Sequence, residues 1–429
     1  LTMDITGKPN VMKRIMVTVF RDTRPVILMS LLLVFILAAY LRMDFLNSVE
    51  HNLSHDSKGY DVMVRQWIED GVYAYKDTEP NAKVTPGYPA FMAIVYKMVD
   101  YTKHDPFYMI RLIQVFLSMF TLYLIYRLAR RLGGAGVGLG AAAIGAVYPS
   151  FIWSNGAVLT EVLCTFFLTL YIYVQLISLE KKKVSFALLS GALLGLTVLV
   201  RSEFLPILLV SHGVGYLWQR NFMKILKLLL ISVVGTAIIL SPWVIRNMIT
   251  LNKVIIASTQ VNPFAAGTYP YKNYADRMVE TKGKTQMEVA KERIRVGFTE
   301  HTLKYVTWYT VGKLAYIYGK MFSGSGHTPF YTVIPILPQN ILHWGLIGLF
   351  PLSFVRGIRL WKSPGFLLVT IVVVMSTLRL LFVPETRYNF TVMPMIIILD
   401  CVTVAAMIQW YSERRLNKNI NLGRSGATG

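Results

Sequence analysis

Apolar runs long enough to cross a bilayer recur along the chain, and basic residues gather at alternate ends of them. The runs 25–41, 107–126, 136–151, 225–244, 336–354 and 390–410, with others ending near Glu180, Val200, Arg220 and Pro384, predict about ten transmembrane helices. The expected fold class is therefore an all-α polytopic membrane bundle. Residues 1–24 form a cytoplasmic N-terminus, 25–410 the transmembrane domain and 411–429 a cytoplasmic tail. Two stretches within that domain, 44–106 and 247–330, are too polar for lipid. The first contains an apolar stretch, 88–98, that is too short to span and predicts a juxtamembrane helix. The second carries a charged helical pattern over 285–300 and an aromatic amphipathic one over 305–322.

Charge sets the orientation. Lys8, Lys13, Arg14, Arg21 and Arg24 precede the first run. Arg127, Arg130 and Arg131, then Lys181, Lys182 and Lys183, then Arg220, Lys224 and Lys227, then Arg356, Arg359 and Lys362, and finally Arg414, Arg415 and Lys418 close later ones. Basic loops stay in the cytoplasm, so both long polar stretches are expected outside. Five charged residues scattered through the sequence, Asp56, Glu161, Arg201, Arg246 and Arg387, then fall on one outer face. Arginine is scarce outside by the same rule, and these three are expected to bind an anion.

Composition agrees with this class. The 429 residues are 54% hydrophobic and 16% charged, with mean hydropathy +0.48. A formal charge of +21 in a soluble chain would suggest nucleic acid, but here the basic residues lie between apolar runs, and no nucleic-acid partner is expected. The two cysteines, Cys164 and Cys401, both lie inside apolar runs and imply no disulfide framework. No cleavable signal peptide is expected. A leading Leu, read as an alternative start codon, points to a bacterial gene and a plasma-membrane location.

Asp56-Ser57 followed by Tyr60, Gly71, Tyr73 and Thr85-Pro86-Gly87-Tyr88-Pro89 resembles the first outer loop of the GT-C glycosyltransferases. That class includes dolichyl-phosphate-mannose protein mannosyltransferases and the lipid A aminoarabinose transferase. Leu159-Thr160-Glu161, Val200-Arg201-Ser202-Glu203, the segment from Ser241 to Asn247 and Glu385-Thr386-Arg387-Tyr388 resemble further motifs of the class. The resemblance implies a membrane-embedded transferase with Tyr60, Tyr88, Asn247 and Tyr388 at the substrate. The chain departs from it at Ser57, where many members carry Glu, and at Lys83, displaced by one position from a Lys-Pro-Pro motif. Lys83 is read as a solvated loop residue.

The chemistry follows from orientation. An outward-facing transferase has no access to cytoplasmic nucleotide sugars, so its donor arrives on a polyprenyl-phosphate carrier. The phosphate leaves as a stable anion, and the cationic groups Arg201, Arg246 and Arg387 neutralise it. The acceptor hydroxyl needs a base, for which Asp56 stands first and Glu161 second, and displacement in line gives inversion. The acceptor is an unassigned glycan, lipid or protein. A divalent metal ion is a further expectation, with His51, His55 and Asp56 as one grouping to hold it. Asp400, inside the last run, is read as a bond between helices, and Arg379 as an anchor or a member of the phosphate site. A transporter or flippase for an anionic lipid-linked sugar is the alternative, disfavoured by the long outer loops and the lack of an internal repeat.

Overall fold

The computed structural model describes residues 24–258, 261–324 and 340–425. The basic cluster expected before Arg24, positions 325–330 of the second polar segment and the first residues of the 336–354 run lie outside the described residues. The main helices are α1 (Arg24–Ser48), α2 (His55–Asp70), α3 (Gly87–Val99), α4 (Phe107–Gly133), α5 (Ala135–Val147), α6 (Glu161–Lys181), α7 (Val184–Val200), α8 (Ile207–Gln219), α9 (Phe222–Leu251), α10 (Gln286–Glu300), α11 (Ile341–Arg359), α12 (Gly365–Arg379) and α13 (Met393–Ser425). Short turns of helix join several of them.

The protein is an integral membrane protein. Among the described residues, α1, α4, α6, α9, α11 and α13 are long and apolar enough to cross a membrane. The remaining apolar runs form shorter or broken helices. α7, α8 and α12 have 17, 13 and 15 residues, shorter than the roughly 20 that a bilayer requires. The expected third span is a broken one, bent by 60° at Tyr148-Pro149. Proline cannot continue the backbone ladder there, and the chain swings sideways through Pro149–Trp153 and Ser154–Gly156 toward Glu161.

The break leaves carbonyls at the end of α5 without helical partners, and a buried cation fills the gap. Arg42 of α1 donates to the Ala146 carbonyl at 3.1 Å and the Gly145 carbonyl at 3.4 Å, while its Nε reaches Ser118 Oγ at 2.9 Å. A guanidinium at a helix C-terminus satisfies both the free oxygens and the negative end of the dipole. α1 thus runs beyond 41, and Arg42 is packed inside the bundle rather than marking its edge.

α7 and α9 pack in close contact. A Cβ at Gly191 would meet the Ser232 carbonyl at 2.0 Å, and one at Gly235 would meet the Leu188 carbonyl at 2.3 Å. Small residues allow that approach, and Thr236 Oγ1 donates across it to the Gly191 carbonyl at 2.9 Å. α9 has 30 residues, about 45 Å at 1.5 Å per residue, and therefore outruns a roughly 30 Å hydrocarbon core. Its last turns, with Trp243, Arg246 and Asn247, reach into the layer formed by the two long polar segments, called here the loop face.

The short apolar stretch and the charged pattern form helices where expected. The aromatic stretch is helical over 302–318, with a π turn at Trp308–Gly312, and stops short of 322. α2 is a helix that the sequence pattern did not announce. α2 starts at an N-cap, Ser54, whose Oγ accepts from the Ser57 amide. α3 covers the short apolar stretch. α10 begins at a capping box in which Thr285 and Glu288 bond each other's backbone amides. Asp400 of α13 accepts from Ser353 of α11 at 2.6 Å in the buried core, a bond between helices.

Candidate functional site

Three local devices bring distant motifs together on the loop face. Ser57 Oγ donates to the Val158 carbonyl at 2.9 Å, which clamps the start of α2 to the stretch of chain leading into Glu161. Thr85 Oγ1 donates to the Val200 carbonyl at 3.1 Å, and a Cβ on Gly87 would sit 2.6 Å from the Leu199 carbonyl carbon. The Thr-Pro-Gly turn therefore seats the first polar segment on the end of α7, immediately before Arg201. In the third device, Arg379 at the end of α12 is buried and donates to the Tyr388 carbonyl, to Thr391 Oγ1 at 2.8 Å and to Glu203 Oε1 at 2.9 Å. It holds the Arg387–Phe390 turn against the Ser202–Phe204 turn.

The result is a cluster of three carboxylates and four cations. Arg387 Nη1 donates to Asp56 Oδ2 at 2.9 Å, Lys76 Nζ lies 3.7 Å from Asp56 Oδ1, and Tyr75 Oη donates to the same oxygen at 3.4 Å. Arg201 Nη1 donates to Glu161 Oε1 at 3.2 Å, and its Nε lies 3.5 Å from Glu203 Oε1. Glu161 is buried, whereas the side chains of Asp56 and Arg387 are each 36% exposed. The open side of the cluster is thus the Asp56–Arg387–Lys76 side. Tyr388 packs beneath two guanidinium groups, with Arg201 5.3 Å and Arg379 5.6 Å from its ring centre.

Charge tunes these groups. Partial burial tends to raise the Asp56 carboxyl, but Arg387 and Lys76, with the Tyr75 hydroxyl, outweigh it and hold it below the ordinary aspartate range. Glu203 is likewise held down by Arg201 and Arg379 against the pull of burial. Burial works against the charged form of Arg387, yet Glu161 keeps its guanidinium firmly protonated. Desolvation of the partly buried Tyr60, reinforced by the charges of Glu161 and Asp56, pushes its phenol well above its usual range.

Of the residues singled out from sequence, Asp56, Glu161, Arg201, Arg387, Tyr60 and Tyr388 meet here. Tyr88 lies under the cluster: it is buried, edge-on to Tyr60 at 5.5 Å, and donates to Gln114 Oε1 at 3.0 Å. Arg246 and Asn247 stand apart. Arg246 donates to the Asn81 carbonyl at 3.0 Å and the Tyr73 carbonyl at 3.1 Å, and buried Asn247 donates to the Ile255 carbonyl at 2.9 Å. The His51, His55 and Asp56 grouping does not form, because α2 begins at His55 and the His51 ring lies edge-on to Phe45 at 5.0 Å. Among the described residues no three His, Cys, Asp or Glu side chains converge as a metal site. Lys83 pairs with Asp77 at 2.9 Å on the exposed loop.

Sequence reasoning passed over Tyr75 and Lys76. The signal was the Asp77-Thr78-Glu79-Pro80-Asn81 turn, in which Asp77 Oδ1 accepts from the amides of Thr78 and Glu79 and folds the loop back over α2.

The sequence profile of the dolichyl-phosphate-mannose-protein mannosyltransferase family matches residues 83–245, which include Glu161 and Arg201. No curated protein matches the chain in sequence. Solved structures match it over most of its length. The oligosaccharyltransferase AglB from Archaeoglobus fulgidus, in complex with an inhibitory peptide and a dolichol-phosphate, aligns over 94% of this chain and 52% of its own with a TM-score of 0.56 and 13% identity. ArnT from Cupriavidus metallidurans bound to undecaprenyl phosphate aligns over 89% of this chain and 60% of its own, with a TM-score of 0.56 and 12% identity. The chain has the GT-C glycosyltransferase fold. The Archaeoglobus enzyme tethered to an acceptor peptide with an NVT sequon gives the same GT-C match, at a TM-score of 0.54 and 14% identity over 88% of this chain and 49% of its own. The chain spans about half to three fifths of the length of these proteins.

Proposed function

We propose that this protein is a glycosyltransferase that moves a hexosyl or pentosyl group from a polyprenyl-phosphate carrier to an acceptor hydroxyl on the extracytoplasmic face of a bacterial plasma membrane. The observation that carries the reading is the convergence of Asp56–Arg387 and Glu161–Arg201, two carboxylate–guanidinium pairs from four separated segments, on the loop face. The family profile and the GT-C fold support the same reaction class. Matched structures hold dolichol-phosphate and undecaprenyl phosphate, which supports a donor of this kind.

In this reading Arg387 and Arg201 hold the donor phosphate as anchored, always-charged forks. The acceptor oxygen attacks C1 of the sugar from the face opposite the phosphate, the C1–O bond breaks, and its electron pair stays on the departing phosphate. The hydroxyl proton passes to Asp56, which is ionised at neutral pH because its carboxyl is held low. The configuration at C1 inverts. Glu161, buried against Arg201, sets that guanidinium in place. A divalent ion, if used, would draw on the carboxylate oxygens of Asp56 and Glu161 together with the donor phosphate. Tyr60 contacts the sugar, and Tyr388 supports the Arg201 guanidinium from beneath.

The test is incubation of the purified protein in lipid with a panel of radiolabelled polyprenyl-phosphate sugars and hydroxyl acceptors, scoring donor consumption and product. Consumption of at least one donor with transfer to an acceptor is expected. Movement of intact donor across the bilayer without cleavage would point instead to a lipid carrier.

A further inference from the structure

The loop between α2 and α3 is shaped by an arginine that the charge pattern alone would place at the donor phosphate. Arg246, at the far end of α9, spends its guanidinium on the backbone: Nη1 and Nη2 donate to the carbonyls of Asn81 and Tyr73 at 3.0 and 3.1 Å, and Nη1 also meets Asn247 Oδ1 at 3.0 Å. Its plane packs over the rings of Tyr73 at 5.4 Å and Trp243 at 5.2 Å. Those two carbonyls mark the two sides of the loop's neck, since the Asn81 amide also donates to the Tyr73 carbonyl at 3.1 Å. Between them, Asn81 Oδ1 accepts from the Tyr75 amide at 3.2 Å. Lys76 comes next with φ of 51°, in the left-handed region that a lysine adopts only under constraint. That turn directs Lys76 and Tyr75 at Oδ1 of Asp56, opposite the oxygen held by Arg387.

We propose that Arg246 is a positioning residue that closes the Tyr73–Asn81 neck and thereby holds Tyr75 and Lys76 on Asp56, rather than a ligand of the donor phosphate. The inference rests on the reading of Asp56 as the base. It assigns a task to two residues outside the recognised motifs, and it separates Arg246 from Arg201 and Arg387, which meet acids. A lysine 3.7 Å from one carboxylate oxygen stabilises its ionised form, and a tyrosine hydroxyl on the same oxygen fixes its orientation. Charged and titratable groups that reach Asp56 are Arg387 from the Arg387–Phe390 turn, Lys76 and Tyr75 from the loop, and Tyr60 from α2 itself.

The test reads Asp56 directly and does not depend on transfer. Carbodiimide modification of Asp56 in the full-length protein in lipid, with peptide mass mapping across a pH series, gives the midpoint at which the carboxyl is protonated. Lys76→Gln should move that midpoint upward. Arg246→Gln should move it upward in the same sense although it leaves Lys76 in the chain, and Asn81→Ala, which opens the neck without touching the membrane edge, should do likewise. A wild-type midpoint in Arg246→Gln overturns the proposal and returns Arg246 to the phosphate, and a melting profile of the same variant matching the wild type distinguishes a local shift of the midpoint from global unfolding. A wild-type midpoint in Lys76→Gln overturns it as well, since the arm would then not act on Asp56. Failure of the wild type to transfer any sugar is a separate result: it removes the proposed reaction and leaves the labelling outcome standing.

Discussion

Arg387 Nη1 donates to Asp56 Oδ2 at 2.9 Å although 331 positions separate the two residues. The candidate phosphate ligand and the candidate base are therefore one ion pair before any donor arrives. A phosphate that takes up Arg387 must share it with Asp56 or displace it, and displacement leaves the carboxylate less stabilised and more basic. Donor binding and readiness of the base are coupled by this contact.

Arg387→Gln and Arg201→Gln should each weaken donor binding by about tenfold or more, from a charge-assisted contact worth roughly 1.5–3 kcal/mol. Lysine at either position should keep part of the affinity as a point charge without the two-pronged geometry. Binding of a radiolabelled polyprenyl-phosphate sugar to protein in lipid measures this. Unchanged affinity in both Gln variants would leave the guanidinium groups as structural partners of Asp56 and Glu161 only.

Glu203 carries a pH signature in stability. Arg201 and Arg379 hold its carboxyl below the ordinary glutamate range despite burial, so the folded state binds this proton less readily than the unfolded chain. The stabilisation is present at neutral pH, above the unfolded value, and is lost as pH falls through the lower folded one. Glu203→Gln should therefore melt earlier than the wild type at pH 7, and the gap should close on acidification below about pH 4. Melting curves in detergent at several pH values check the sign; a gap that widens in acid would refute the assignment.

Much of this arrangement is legible in the sequence. Charge alternation puts Asp56, Glu161, Arg201 and Arg387 on one face, and the charged pattern over 285–300 announces a helix that does form. What stays hidden involves the backbone. Arg246 binds carbonyls, and no residue pattern advertises a carbonyl as a partner. The same holds for Arg42, whose acceptors exist only because α5 breaks at Pro149. Apolar composition also continues through tight turns, so runs that read as full spans near 207–219 and 365–379 contain helices too short to cross alone.

Orientation is open to a labelling experiment, and burial decides which sites can report it. Ser57 and Asn247 are buried, so cysteines there would report packing rather than sidedness. Cysteines at the exposed Lys58 and Lys253, and at the partly exposed Thr386, should react with an impermeant thiol reagent applied from outside. Cysteines at exposed Arg130, Lys182 and Arg359 should react only after the membrane is opened. The reverse pattern would turn the site toward the cytoplasm and end the case for a lipid-carried donor.

Asp56→Asn separates a transferase from a lipid carrier. Asn is nearly isosteric, and the side chain is only half-buried, so the fold should survive. Arg387 keeps a neutral oxygen to bind and gains freedom toward the phosphate, so donor affinity should hold or rise. The step that needs a proton acceptor should fail: loss of a general base typically costs about 10²- to 10⁴-fold in turnover. Glu161→Gln makes a different demand, because it strips a buried partner from Arg201 and should reduce donor affinity along with rate. Measuring donor binding and product on the same preparations distinguishes the two patterns. Full turnover in Asp56→Asn would remove it as the base and leave Glu161 as the remaining carboxylate of the pair, while a carrier that makes no bond predicts that neither variant changes anything beyond binding.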